Sequence, residues 1–257
     1  MSPVSDPLVE HILAARSGSA VSTPPGEGRT LSLADAYDVQ DRVRQALVGR
    51  GERVIGWKAG YTSRATQQKY GTDRPVCGFL LGSGVYATGA EVPASSFVSL
   101  GVEAEVALVM GRALTGPGVT PPQALLAVEG AVPALELIDF RYAGTPTAID
   151  AVADGVLAKA VVLGAPLTDV THLDLALEGL VYELNGAIVA TNTAAEVLGS
   201  PINALAFIAN HLGARGLGLR SGDVVMTGSV SAVLRPKAGD AVRARFTRLG
   251  GVAARFV

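Results

Sequence analysis

One cysteine in 257 residues, Cys77, leaves no partner for an internal disulfide, so packing and hydrogen bonding must hold the chain together. That usage fits a reducing compartment, and the expected location is cytoplasmic. Charge is sparse as well: Asp, Glu, Lys and Arg make up 17% of the residues and nearly cancel, to −2. With no long Lys/Arg run, a nucleic-acid surface is excluded as an expectation. No uninterrupted apolar stretch approaches the ~18 residues that span a bilayer, so no membrane partner is expected. The opening MSPVSDPLVE has no basic region followed by an apolar one, and no secretory leader is expected. Histidine is rare too, and His11, His172 and His211 show no metal-ligand spacing. His211 falls in the last turn of an expected helix, where contact with the helix dipole accounts for it.

Apolar residues, by contrast, are plentiful: 49% of the chain, with a mean hydropathy of +0.36. That suffices for one large core, with or without a small extension. Asp6-Pro7 followed by Leu8, Ile12 and Leu13 predicts a capped first helix. Gly18–Arg29 is too rich in Gly, Ser and Pro to be regular. Ser32 with Asp35 predicts a second helix, by a variant of the capping box, ending near Gly49. After Gly51 short apolar runs alternate with turns, predicting strands at Val54–Trp57, Gly84–Tyr86, Val102–Met110, Val132–Ile138 and Val161–Leu163. Leu180–Leu184 and Ala187–Thr191 flank Asn185-Gly186, a type I′ hairpin signal. Ser200-Pro201 opens a further helix, and Asp223–Thr227, Ala241–Phe246 and Val252–Val257 close the chain as strands. The expected organisation is α+β: a helical part over 1–52, then a strand-rich catalytic part over 53–257 with one or two inserted helices, the two forming one continuous structural unit.

Within GVEAEVALVM (Gly101–Met110) the period of two puts Glu103 and Glu105 on one face of a strand, and Val102, Ala104, Val106, Leu108 and Met110 on the other. The two carboxylates then lie roughly 6–7 Å apart along the backbone. They would repel or hold a proton unless something positive sits between them, and a divalent metal is the natural neutraliser. Alone, the plainer reading is an edge strand with a wet acidic face. Glu136 in VPALELI adds a third acid to an otherwise apolar run, and buried unpaired carboxylates are rare. Three such acids weaken the wet-face reading, and an all-oxygen set suits Mg²⁺ or Mn²⁺ better than zinc. Lys58, in IGWKAGYTS, either meets an anionic substrate or covers a strand end with its stem. Thr227, Gly228 and Ser229 end a strand with donors that can approach a carboxylate, or simply form a turn. Arg141 either binds a distal carboxylate or pairs with Asp139.

Together these residues resemble the 2-keto-4-pentenoate hydratase/4-oxalocrotonate decarboxylase group of the fumarylacetoacetate hydrolase superfamily. The resemblance runs through LADAYDVQ, GWKAGYTSR, VEAEVAL, VPALELIDFRY, VLGSPIN and GDVVMTGS. The Glu-x-Glu strand, followed about thirty residues later by the Glu of PALE, is what sets this group apart. It implies a mixed β-sandwich roll with flanking helices, usually a homo-oligomer, with a complex with a sequential enzyme also possible. It implies Glu103, Glu105 and Glu136 as ligands of Mg²⁺ or Mn²⁺ and Lys58 as the active-site lysine. Thr227, Gly228 and Ser229 would line the pocket near the substrate carboxylate; Arg141 stays, by its position alone, either a substrate contact or, more safely, a salt-bridge partner of Asp139. The substrate would be a 2-oxo acid, or its 2-hydroxydienoate form, of aromatic meta-cleavage-type catabolism. Two motifs depart from the group: Pro75-Val76-Cys77-Gly78 has Val76 where hydratases tend to carry Asp, and Ala153-Asp154-Gly155-Val156 replaces Ala-Asp-Asn-Ala, with Lys159 nearby. Hydration needs a directed water and proton transfers, whereas loss of CO₂ needs mainly an electron sink and an apolar surround. Val76 therefore tilts the expectation to decarboxylation of 2-oxohex-3-enedioate, with 2-hydroxypenta-2,4-dienoate hydration as the alternative. An acylpyruvate hydrolase and a catalytically silent subunit are the more remote readings.

Overall fold

Asp6 and Pro7 start the chain's first helix just as their chemistry requires. In the computed structural model, which describes residues 6–257, the Asp6 carboxylate accepts from the Leu8 N–H at 2.9 Å and opens α1 (Pro7–Ser17). The first half of MSPVSDPLVE, residues 1–5, on which the expected lack of a secretory leader partly rests, lies outside the described residues. Ser32 and Asp35 cap each other's backbone at the start of α2 (Leu33–Gly49), which packs on α1.

From there the chain lays down two mixed sheets. β1 (Val54–Gly60), β2 (Val76–Leu81), β3 (Val85–Ala87), β5 (Leu100–Met110), β6 (Val128–Asp139), β7 (Ala158–Leu163) and β10 (Val224–Ser229) form one, in the order β2-β1-β10-β5-β6-β7-β3. β4 (Ala90–Val92), β8 (Gly179–Leu184), β9 (Ala187–Thr193), β11 (Ala241–Phe246) and β12 (Gly250–Phe256) form the other, in the order β4-β12-β11-β8-β9. β6 packs across the gap against β11 and β12, which makes the sandwich. Val102, Ala104, Val106, Leu108 and Met110 of β5 meet Tyr182, Val242, Ala244 and Phe256 in the shared core. Each fully buried Leu or Val there is worth about 1.5–3 kcal/mol.

The wet-face alternative for β5 falls, because Ala107 on the acids' side is buried with Val132, Ala134, Val161 and Met226 in a second cluster. Two expectations need correction. Instead of one or two inserted helices, the described residues hold four after β1: α3 (Arg64–Lys69), α4 (Pro121–Leu125), α5 (Ala148–Ala153) and α6 (Pro201–Ala214). The first three are five or six residues long, too short to show a helical stripe. β2 also escaped notice, since VCGFLL is buried almost throughout and does not alternate. The Asn185-Gly186 hairpin is as expected, with φ of 52° and 80° at its two central residues.

Candidate active site

The register between β5 and β6 decides where the acids go. The strands are antiparallel, with Glu103 opposite Glu136 and Glu105 opposite Ala134. Two residues apart on one strand and directly across on the next, the three carboxylates share a face. One oxygen from each lies within 4.8 Å of the others. Glu105 and Glu136 are fully buried, while Glu103 is partly open to an adjoining cavity. Glu105 Oε2 accepts the Gly228 N–H at 2.8 Å, but Glu105 Oε1 and Glu136 Oε1 have no hydrogen-bond partner.

Lys58 enters from β1, two strands away, with β10 between. Its Nζ lies 2.8 Å from Glu136 Oε2 and 3.4 Å from the Val156 carbonyl. Burial alone would depress the Lys58 ammonium; Glu136, then Glu103 and Glu105, outweigh it and raise the group above its ordinary value. Burial, reinforced by Glu136 and opposed by Lys58, pushes Glu103 up to about 7. Glu105 is raised well above the carboxylate range, by burial first and then by Glu136. Three carboxylates against one ammonium leave a formal deficit of two positive charges. Orphaned buried oxygens, an all-oxygen donor set and that deficit together fit a hard divalent cation held by Glu103, Glu105 and Glu136.

The carbonyl offered to Lys58 comes from an unusual turn. Gly155, Val156 and Leu157 follow one another in the left-handed region, at φ of 83°, 60° and 59°. For the two non-glycine residues that costs of order 1–3 kcal/mol each, so something must hold them. Asp154 does much of this: its carboxylate accepts from Arg141 at 2.9 Å and 3.1 Å, and its carbonyl accepts from Arg16 of α1. A Cβ on Gly155 would sit 2.9 Å from the Phe79 ring.

Beside the acids opens a cavity of about 550 Å³, walled by Tyr61, Tyr70, Phe140, Val156, Ser229 and Arg235 among others. Of the strand-end donors expected to face a substrate, only Ser229 lines it. Thr227 is buried and donates its hydroxyl to the Val106 carbonyl at 2.7 Å. Gly228 spends its N–H on Glu105, so the carboxylate that this turn meets is the protein's own. Arg141 takes its salt-bridge reading rather than the substrate one: it is 1% exposed, bound to Asp154 and the Leu157 carbonyl with its Nε 3.7 Å from Asp139, and is not among the residues lining the cavity. A guanidinium so deeply buried needs such carboxylates to balance it. Lys159 bonds Asp139 at 3.2 Å and the Ser96 carbonyl, also away from the cavity. Val76 is buried against Gly60, one layer behind the wall that Gly60 and Val156 form. His211 does not serve as a cation on the helix dipole: burial, and then Arg215, lower it to about 4, and its ring packs 4.3 Å from that of Tyr37. Tyr70, Asn192 and Arg235 stand in no motif of the sequence, and Tyr61, although within GWKAGYTSR, carries no signal of its own there.

Residues 53–257 match the family model described as Fumarylacetoacetate (FAA) hydrolase C-terminal. The chain is 36% identical over 228 residues to a 4-oxalocrotonate decarboxylase of Pseudomonas sp. (strain CF600), which covers 88% of this chain and 86% of that protein. It is 35% identical over 235 residues to a 2-keto-4-pentenoate hydratase of Burkholderia vietnamiensis (strain G4 / LMG 22486), covering 91% and 88%. The solved structure of 4-oxalocrotonate decarboxylase from Pseudomonas putida G7, complexed with magnesium and adipate, superposes with a TM-score of 0.94 at 32% identity, over 97% of this chain and 96% of that one.

Proposed function

The chain belongs to the fumarylacetoacetate hydrolase family, and on that premise we propose that it is a divalent-metal-dependent lyase of 2-oxo acids that decarboxylates 2-oxohex-3-enedioate. The observation that carries this reading is the convergence of Glu103, Glu105 and Glu136, with unpartnered oxygens, beside a buried Lys58 and an adjoining cavity. When bound there, Mg²⁺ or Mn²⁺ supplies Lewis-acid stabilisation of negative charge on the substrate's C2 oxygen.

The chain's own groups do the rest. Glu103, Glu105 and Glu136 hold the ion, and the Gly228 N–H keeps Glu105 turned toward its partners. Lys58 is held as an ammonium by the acids around it, so its role is to donate rather than to accept a proton. In the reaction the C5–C6 bond breaks and its electron pair forms C4=C5. The C3=C4 pair moves to C2=C3, and the carbonyl pair collects on the C2 oxygen. The Lys58 Nζ–H donates to that oxygen, giving 2-hydroxypenta-2,4-dienoate and CO₂. Val156, Leu157, Ile138 and Phe140 keep part of the cavity wall apolar, a surround that suits neutral CO₂ once the C5–C6 bond has broken. Val76 behind them supplies no acid or base.

Hydration of the dienol is the second reading, and Glu196 favours it: this carboxylate lines the cavity and is not one of the three ligands. Supplying 2-oxohex-3-enedioate and 2-hydroxypenta-2,4-dienoate separately with Mg²⁺, while following CO₂ release and diene absorbance, decides between them. Consumption of only the second compound overturns decarboxylation. The same reading carries a homo-oligomer, and exposed Ile188 and Val189 on the outer strand β9 offer an apolar edge for one.

A further inference from the structure

Arg235 lies on the cavity wall, and among the described residues no carboxylate pairs with it. Its place is set by the strands that carry the acids. Leu234 exchanges two backbone hydrogen bonds with Val102, the residue before Glu103, at 2.9 Å and 3.0 Å. The guanidinium centre lies 3.5 Å from the centroid of the Phe140 ring, just beyond the end of β6. Nη1 donates to Ser99 Oγ at 3.0 Å, and Ser99 in turn receives the Phe140 N–H and gives its own N–H to Asp139. Arg235 is therefore tied to both ligand-bearing strands at once. Only one of its nitrogens has a partner, which leaves most of a planar five-donor fork free. Such a fork matches the two oxygens of a carboxylate, and the ring beneath it holds it flat. Lys69 is the other cation of the wall besides Lys58; it is exposed, as Arg235 is, but it makes no hydrogen bond and rests 5.2 Å from Tyr70 on the short helix α3.

We infer that Arg235 binds the distal carboxylate of the substrate and so selects 2-oxo dicarboxylates over 2-oxo monocarboxylates. This rests on the 2-oxo-acid reading above and names the residue that would set its preference. A 2-oxo acid whose near end is engaged at the three glutamates extends along the cavity, and a second carboxylate meets there the only rigid unpaired cation on the wall among the described residues.

The probes are 2-oxohexanedioate and 2-oxohexanoate, which share the 2-oxo acid end and differ by the distal carboxylate. Calorimetry on the Mg²⁺-loaded protein should show the first bound at least about tenfold tighter. In Arg235→Met the two affinities should converge, while Arg235→Lys keeps part of the gap by charge alone. Lys69→Met should leave the gap intact. Thermal melting and Mn²⁺ titration check that Arg235→Met still folds and keeps its ion site. An equal affinity for both probes in the unaltered protein, a gap that survives Arg235→Met, or one that closes in Lys69→Met overturns the inference. The lyase reading fails separately: if neither substrate is turned over yet the gap closes in Arg235→Met, the anion site stands and the reaction does not.

Discussion

The Lys58 ammonium and the Glu136 carboxylate lie 2.8 Å apart with almost no solvent contact, Lys58 being 3% exposed and Glu136 not at all. Each is tolerable in that place only because of the other and its neighbours. Among the described residues, Lys58→Met removes the one cation that is ion-paired with any of the three carboxylates. It should abolish turnover and cost the metal-free protein about 3–5 kcal/mol, as breaking buried pairs does. Urea unfolding with and without Mg²⁺ measures this, and the ion should restore part of the loss. Equal stability of the two proteins without metal would show that the pair contributes nothing to the fold.

Mn²⁺ titration tests the ligand set directly. Glu103→Ala or Glu105→Gln should weaken binding by more than the ~10–100-fold that loss of an outer-sphere partner costs. The pH dependence follows from Glu103, held at about 7 by burial first and then by Glu136. Cation binding requires the deprotonated forms of Glu103 and of Glu105, which is raised as well, so affinity should fall as pH drops through about 7. The metal-free fold responds with the opposite sign. Because the folded group keeps its proton up to about 7, this residue's share of stability is present at low pH and lost as pH rises through 7. Binding that ignores Glu103→Ala would leave the silent-subunit reading standing.

Arg141 separates structure from recognition. Sealed against Asp154, it should behave as part of the scaffold, so that Arg141→Met lowers stability by about 3–5 kcal/mol. Among folded molecules the relative affinities for 2-oxohexanedioate and 2-oxohexanoate should stay as they were. A selective loss of the dicarboxylate would return Arg141 to the substrate and contradict its burial.

His211 gives an acid-side signature far from the acids. Its folded value, near 4, lies below the usual 6.5, by burial first and then by Arg215, with Asp41 opposing and the Tyr37 ring tilted against it. The unfolded chain thus binds a proton that the folded one refuses between those values. Stability from this group is complete above pH 6.5 and is lost as pH falls toward 4. His211→Gln should flatten the decline in melting temperature between pH 7 and 5; an identical slope would remove the histidine from the account.

Much of this protein was legible in its residue pattern because chain geometry is local. A period of two placed Glu103 and Glu105 together, caps at Asp6 and Ser32 marked helices, and Asn185-Gly186 set a hairpin. None of these needs a distant partner to be read.

Contacts between distant segments were decided only in three dimensions. The pairing of β5 with β6 puts Glu136 opposite Glu103, and a slip of one residue would turn it to the other face. The pattern left Arg141 between a ligand and a salt bridge, and only the fold decides it, by burying the guanidinium against Asp154 and Asp139. Arg235 belongs to no motif and reaches the cavity only because Leu234 pairs with Val102. Side-chain alternation belongs to the single strand, whereas register and facing belong to the packed sheet, so the residue pattern could name the acids but not the arginine that shares their cavity.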